Sequence, residues 1–389
     1  MTICVLIRST TFHNKSGGLE TQNKTLCEGF VKKGHKVVVI STSTPSHLEG
    51  GAKEEGVQYV FTDAPAGVYS KKWWEDSVNK FSKLNKEYKF DVVISQSSAG
   101  KAVFPKVSNG KKIAICHGTA LGELKTRVKS IKSLRNMARF IFKDISMVVS
   151  GYYDDLQIFI NADKVVCVSD ILSTNLIKEY PFIKSKAVVI DNGVDEGKFK
   201  TQNSKLKIEN TKHSFALLYV GRVVEEKGIG ELLKALAIVK NDICGIFLYV
   251  VGGGKDLDRF KILTNELKIK DVVNYVGEVE NTEVTRYYQK ADVFVYPSVR
   301  QEGFPMVLAE AMFSRVPIIA SRIGGIPSVI EDDKTGILIA PRNVQSLVLA
   351  IKKFYSNPPF GKNIAQNAYI RAAKSYSQEA MVEKYLNLC

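Results

Sequence analysis

Nowhere in this chain does an uninterrupted apolar run approach the roughly 20 residues that span a bilayer, and the apolar opening, Ile3 to Ile7, is far shorter than the hydrophobic region of a signal peptide. The expectation is a cytoplasmic chain, or one peripheral on the inner face of a membrane. The six cysteines, Cys4, Cys27, Cys116, Cys167, Cys244 and Cys389, include no CxxC pair, and Cys4, Cys116, Cys167 and Cys244 lie in or beside apolar strand-like runs. They read as reduced core thiols, with no zinc site. No paired-Asp motif, internal repeat or low-complexity segment occurs, and the composition is that of neither a disordered nor a fibrous chain. Gly252-Gly253-Gly254-Lys255 suggests a phosphate loop, but Asp256 follows the lysine and no earlier glycine stands at GxxxxGK[ST] spacing, so an ATPase is rejected.

What is present is enough for two cores. A chain of 389 residues exceeds what one core usually serves. Its formal charge of +15 is spread evenly, +8 through Glu196 and +7 from Gly197 onward. Such a balance favours anionic partners: nucleotide phosphates, acidic lipid or nucleic acid. The charges are not interleaved with an aromatic stacking series or a recognised module, so nucleic acid is not the expected partner.

The chain opens strand, loop, helix, strand: Ile3 to Ile7, a loop with Gly17-Gly18, a helix from about Glu20 to Lys33, then Lys36 to Ile40. Alternating β and α elements imply a parallel, doubly wound sheet, in which ligands bind beyond the carboxyl ends of strands. Paired glycines before a helix let backbone approach a phosphate, although an ordinary turn gives the same pattern. His117 follows the strand Lys112 to Cys116 at such an end; by itself a histidine there is more often structural. A second βαβ series begins at Phe215, where Gly221-Arg222 ends the strand and Lys227-Gly228 opens a helix. An Arg fork and a Lys point charge can share phosphate oxygens, and either can be an ordinary solvated charge.

The most informative stretch runs from Arg300 to Glu310. Pro305 favours a helix start there, with Glu302 in the preceding loop and Glu310 inside the helix. From Met306 to Phe313 every other residue is apolar, so Glu310 has no cation one turn away. A buried carboxylate must be satisfied, either by a protein neighbour or by the vicinal hydroxyls of a sugar.

Glu302 and Glu310 at this spacing, with Gly303-Phe304-Pro305 after the first, resemble the signature of the retaining nucleotide-sugar glycosyltransferases of family 4. The resemblance is dense from Gly221 to Pro341 and sparser before it, at Gly17-Gly18, His117-Gly118 and Asn192-Gly193. It implies the α/β GT-B fold, two Rossmann-like domains facing a central cleft. The expected division is an acceptor-side domain over residues 1–196, a nucleotide-sugar domain over 197–362, and a helical tail, 363–389, crossing back to the first. It further implies His117, Arg222, Lys227 and Glu302 as catalytic residues. Donor contacts would come from Gly17, Gly18, Gly303, Phe304, Pro305, Met306, Val307 and Glu310. No cofactor or metal is expected: a nucleotide-diphosphate sugar is the co-substrate, and a hexose passes to a glycan or lipid-linked acceptor. An epimerase or hydrolase on the same fold would keep the diphosphate cations without an acceptor.

One segment stands apart. Leu124 to Val149 carries Lys125, Arg127, Lys129, Lys132, Arg135, Arg139 and Lys143, with apolar residues near helical spacing. It reads as an interfacial helix docking on an anionic membrane, or as a solvated face over the first-domain sheet.

Overall fold

The computed structural model describes residues 1–13, 17–44, 51–118, 121–122, 124, 145–199 and 214–389. They form two compact units, Met1–Gly193 with Gln378–Cys389, and Val194–Ser377. Each is built around its own twisted sheet.

In the first unit β1 (Thr2–Leu6), β2 (Lys36–Ser41), β3 (Ala52–Glu54), β4 (Val57–Phe61), β5 (Val92–Gln96), β6 (Lys111–Cys116), β7 (Lys164–Cys167) and β8 (Ala187–Val189) pair in the order β3-β4-β2-β1-β5-β6-β7-β8. Every pairing is parallel except β3 with β4. The central strands are near-continuous Val/Ile runs, and Ile3 to Leu6, Val38 to Ile40 and Val92 to Ile94 are almost fully buried, as a sheet covered on both faces requires. Helices α1 (Gly18–Lys32), α2 (Lys71–Tyr88), α3 (Ile145–Asn161) and α4 (Asp170–Glu179) connect these strands. The chain leaves β1 toward β2 and later returns to lay β5 on its other side, so strand order reverses between β1 and β5. That reversal opens a crevice at the strands' carboxyl ends.

The second unit repeats the plan. Strands β9 (Phe215–Val220), β10 (Ile246–Val251), β11 (Val273–Gly277), β12 (Val293–Tyr296), β13 (Ile318–Ser321) and β14 (Ile337–Ile339) form an all-parallel sheet in the order β11-β10-β9-β12-β13-β14. Its order reverses between β9 and β12. Helices α5 (Ile229–Val239), α6 (Leu257–Glu266), α7 (Asn281–Lys290), α8 (Met306–Phe313), α9 (Ile326–Val329) and α10 (Val344–Ser356) alternate with the strands. Among the described residues no helix is long and apolar enough to cross a membrane.

The end of the chain divides differently from the expected boundaries at 196 and 362. Helix α11 (Pro358–Ser375) stays with the second unit: Ile364, Ala365, Ala368 and Ala372 are buried at one-turn spacing, and Tyr369 meets Phe313 of α8 edge-on at 6.3 Å. Only the short helix α12 (Gln378–Leu386) and the three residues after it join the first unit. The expected tail was drawn too long because α11 is also helical, and a sequence pattern does not say which core a helix covers. The basic run from Lys125 to Lys143 lies outside the described residues.

Helix α12 is seated on α1 through a glycine. A Cβ on Gly29 would lie 2.4 Å from Val382 Cγ2 and 3.1 Å from Gln378 Cγ. Gln378 Nε2 donates to the Thr25 carbonyl at 2.7 Å, and Phe30 meets Tyr385 edge-on. Gly29→Val is therefore expected to destabilise the first unit by about 1–3 kcal/mol, the usual cost of overpacking a close contact. Urea unfolding measures it; an unchanged midpoint would mean that α12 is not held by this contact.

Candidate active site

The carboxyl ends of β9 and β12, where the second sheet reverses, bring together residues that are 75 positions apart in the chain. After β9 comes Gly221-Arg222, whose backbone is braced by the neighbouring loop: Val223 N donates to the Gly253 carbonyl at 2.8 Å and Asp256 N to the Val223 carbonyl at 3.2 Å. A Cβ on Gly254 would lie 2.3 Å from the Val223 carbonyl oxygen, so the triple glycine that imitates a phosphate loop is a backbone-to-backbone seat. Arg222 is exposed, and its carbonyl accepts from the buried Tyr219 hydroxyl at 2.8 Å.

Lys227 follows in a single 3-10 turn, Glu225–Lys227. Gly228 then adopts φ +74°, and a Cβ there would sit 2.0 Å from the Pro297 carbonyl oxygen. This approach presses the lysine against the end of β12. Lys227 Nζ lies 2.6 Å from Tyr296 Oη and 2.7 Å from Glu302 Oε1, which also accepts from Ser298 Oγ at 2.9 Å. The Lys227 and Glu302 side chains are only 12% and 15% exposed, so this is a partly desolvated ion pair with real strength. Burial, and next the Glu302 charge, push the Tyr296 phenol well above its ordinary range, which keeps it a neutral hydrogen-bonding partner. An ammonium has three donors and a carboxylate about four acceptor sites. After pairing, Lys227 retains a donor and Glu302 retains acceptors for a ligand.

Glu302 is fixed from behind. Gly325 N donates to its carbonyl at 2.7 Å, and Gly324, at φ +57°, approaches so closely that a Cβ would lie 2.5 Å from Glu302 N and O. Gly303 is half-buried, and Phe304 is buried edge-on to Tyr376 at 5.1 Å. Pro305 is the N-cap, extended at φ −71° and ψ 111°, and α8 begins at Met306. The helix thus starts one residue later than the proline suggested. The N–H groups of Met306 and Val307 have no intrahelical acceptor and suit an anion, while Leu308 N already donates to the Pro305 carbonyl at 3.1 Å.

Glu310 is satisfied by a tyrosine, a partner that the sequence pattern did not reveal. Tyr288 Oη lies 3.0 Å from Glu310 Oε2 and 3.2 Å from the Val307 carbonyl. Burial raises the Glu310 carboxyl to about 7, against the opposing pull of the Tyr288 hydrogen bond and the Lys198 charge.

The remaining expected residues belong to the first unit. Gly17 caps α1 and Gly18 is its first residue, but the Gly17 N–H is already taken by Glu20 Oε2 at 2.9 Å. A carboxylate of the chain itself therefore holds one of the donors expected to face a phosphate. His117 follows β6, its Nε2 2.7 Å from Gln96 Oε1. Gln96 ends β5 and borders a small cavity of about 80 Å³ at the first sheet's reversal, with Arg8, Ser9, Glu20 and Tyr69. Thus Arg222, Lys227, Glu302, Gly303 to Val307 and Glu310 are gathered on one unit, and Gly17, Gly18 and His117 on the other. Tyr288, Tyr296, Ser298 and Gln96 are site neighbours that sequence reasoning missed.

Known proteins share this arrangement of strands. Residues 16–198 match the family described as Glycosyltransferase Family 4, and residues 200–371 match Glycosyl transferases group 1. Among curated relatives, Uncharacterized glycosyltransferase MJ1607 of Methanocaldococcus jannaschii is 27% identical over 232 residues, 58% of this chain and 59% of that protein. Uncharacterized glycosyltransferase MJ1069 of the same organism is 24% identical over 391 residues, covering 95% of this chain and 93% of its own length. Sucrose-phosphate synthase from Thermosynechococcus elongatus superposes with TM-score 0.83 at 21% identity, covering 100% of this chain and 98% of that one. HepE from Anabaena in complex with UDP-glucose gives 0.75 at 19%, covering 100% and 98%. The fold is GT-B.

The Glu310 environment has a measurable consequence. Its carboxyl titrates near 4.5 when unfolded and near 7 when folded, so between those values the folded chain binds more protons and stability falls as pH rises. Above about 7 this contribution levels off. Glu310→Gln is expected to remove that slope while keeping the side-chain shape. Urea midpoints of the two proteins compared across this window test it; parallel curves would show that Glu310 is ordinary.

Proposed function

We propose, for a chain whose two halves are glycosyltransferase domains, that it moves a hexose from a nucleotide-diphosphate sugar to a hydroxyl of a glycan or lipid-linked acceptor, with retention of anomeric configuration. The observation that carries the reading is the clustering of Arg222, Lys227, Glu302 and the α8 N-terminus at the carboxyl ends of β9 and β12. A diphosphate there would meet two cations and free backbone N–H groups, the donors that stabilise charge growing on a leaving phosphate. The complex of HepE with UDP-glucose supports this donor class.

Each residue has a distinct task. Arg222 and Lys227 take the developing charge, the part that a metal ion plays in other transferases, so turnover needs no added metal. Glu302 accepts from hydroxyls of the transferred sugar, and Glu310 accepts from the ribose diol. Hydroxyl donors favour the ionised carboxylate, so donor binding releases a proton from Glu310 near neutral pH. Glu302 and Glu310 are not read as a hydrolase pair, because Glu302 is held by Lys227 and Ser298 in the loop before α8 whereas Glu310 lies inside the helix against Tyr288. The acceptor hydroxyl attacks from the face of the departing phosphate, which receives its proton.

Arg222→Ala and Lys227→Ala are each expected to lower kcat by about 10²-fold or more, the scale for losing a preorganised charge-stabilising group. A panel of sugar nucleotides, with and without chelator, supplies the assay, and thermal unfolding confirms the fold. Near-normal turnover in both variants would dismiss the site. Free sugar or an epimerised donor as the sole product would favour a hydrolase or epimerase.

The acceptor side adds a membrane. The basic run from Lys125 to Lys143 is followed by α3, whose first residues Ile145, Met147 and Val149 are 40–49% exposed. Basic residues beside exposed apolar ones suit an acidic lipid surface, at about 1 kcal/mol per cation. Co-sedimentation is expected with anionic vesicles at low salt and not with neutral ones. Equal indifference to both, or no effect of reversing Arg127, Lys132, Arg135 and Arg139 to Glu, would point to a soluble acceptor.

A further inference from the structure

Gln22, Asn23 and Gln96 are 0–1% exposed, an unusual concentration of amides inside the first unit. They form a chain of hydrogen bonds that ends on His117. Gln96 Nε2 lies 3.0 Å from both Gln22 Oε1 and Asn23 Oδ1, and Gln96 Oε1 lies 2.7 Å from His117 Nε2. An amide has one donor end and one acceptor end. With the NH₂ of Gln96 spent on two oxygens, only its carbonyl can face the imidazole.

The polarity of this chain is set at its far end. Gln22 Nε2 faces Met381 Sδ at 3.8 Å, and that sulfur also lies 3.0 Å from the Gly193 N–H. A thioether has no proton to give, so the group presented to it must be the NH₂ of Gln22. Gln22 must then turn its oxygen toward Gln96. The direction propagates: sulfur accepts from Gln22, Gln22 accepts from Gln96, Gln96 accepts from His117. Met381 sits on α12, so the helix that rejoins the first unit decides which atom of His117 carries the proton.

We propose that Gln96 is a positioning residue that holds His117 with its proton on Nε2, leaving Nδ1 as a hydrogen-bond acceptor for a substrate hydroxyl. Burial, which lowers His117 to about 4, keeps the ring neutral at physiological pH and so preserves this distinction between its nitrogens. The consequence is selectivity. A sugar that offers a hydroxyl to Nδ1 is bound, whereas one that offers a carboxylate or carbonyl oxygen there meets a lone pair. The substrate part of the proposal rests on the glycosyltransferase reading above; the tautomer does not.

Two measurements separate them. The first is a long-range ¹H–¹⁵N spectrum of the ligand-free, full-length chain, with the His117 signals identified by their loss in His117→Gln. A protonated Nε2 and an unprotonated Nδ1 are expected in the unsubstituted protein, and a shift toward the opposite tautomer in Gln96→Met. A proton on Nδ1 in the unsubstituted protein overturns the proposal, and needs no variant to fold. An unchanged tautomer in folded Gln96→Met overturns the role of Gln96. The second is turnover of sugar nucleotides in a double-mutant cycle. Gln96→Met is expected to lower kcat about 10-fold, and to add no further loss in His117→Ala, because both changes remove one function. Losses that multiply would mean that Gln96 serves only the fold. Absence of transfer by the unsubstituted chain would refute the glycosyltransferase reading while the spectrum still decides the tautomer.

Discussion

The closest constraint in the second unit is between two pieces of backbone, Gly228 and the carbonyl of Pro297, where a single methyl group would lie 2.0 Å from oxygen. Because the chain after β9 can press this tightly on the chain after β12, Lys227 reaches Tyr296 and Glu302 at hydrogen-bonding distance. The same device recurs behind Glu302, where Gly324 abuts its peptide, and behind Arg222, where Gly252 abuts Gly221 and Gly254 abuts Val223. The candidate-site side chains here are placed by backbone seated on backbone, which deforms less readily than side-chain packing. That is the preorganisation electrostatic catalysis requires.

The two carboxylates of the α8 region live in opposite environments. Glu302 is paired with an ammonium and the Ser298 hydroxyl, whereas Glu310 has a tyrosine hydroxyl and a largely apolar helix around it. The difference follows from position. Glu302 lies in a loop open to neighbouring strands, and Glu310 lies inside a helix whose other residues are nearly all apolar. A short sequence stretch thereby provides one carboxylate held in an ion pair and one that burial pushes up to about 7.

Much of this was legible before any coordinates. The strand-helix alternation is a local pattern that the two parallel sheets bear out, and the cations after β9 and the Glu302 to Glu310 stretch are local patterns that the structure gathers at one sheet end. What was hidden depends on residues far apart in the chain. Tyr296 reads as one more apolar strand residue until its hydroxyl is seen beside Lys227, and Tyr288 gives no hint that it faces Glu310. Gln22, Asn23 and Gln96 read as polar surface in a helix and at a strand end, because an amide carries no periodic signature of burial. The triple glycine is ambiguous in itself, since a loop that must admit backbone and a loop that must admit phosphate need the same residue, and only its spacing ruled out the second. The helix start was read one position early, at Pro305, because the fixed φ of proline suits both the cap and the first turn.

Helix α12 has a further consequence, for the order in which the molecule can be made. The first unit needs residues 378–389, which are synthesised after every strand and helix of the second. A nascent chain therefore carries a complete second unit before the first is finished, the reverse of the usual sequence in which the earlier domain closes first. Until then Phe30 and Gly29 of α1 have no partner helix, and Gln22 has no sulfur to orient it. The first unit waits as an open surface, and the element that seals it also fixes the imidazole of His117.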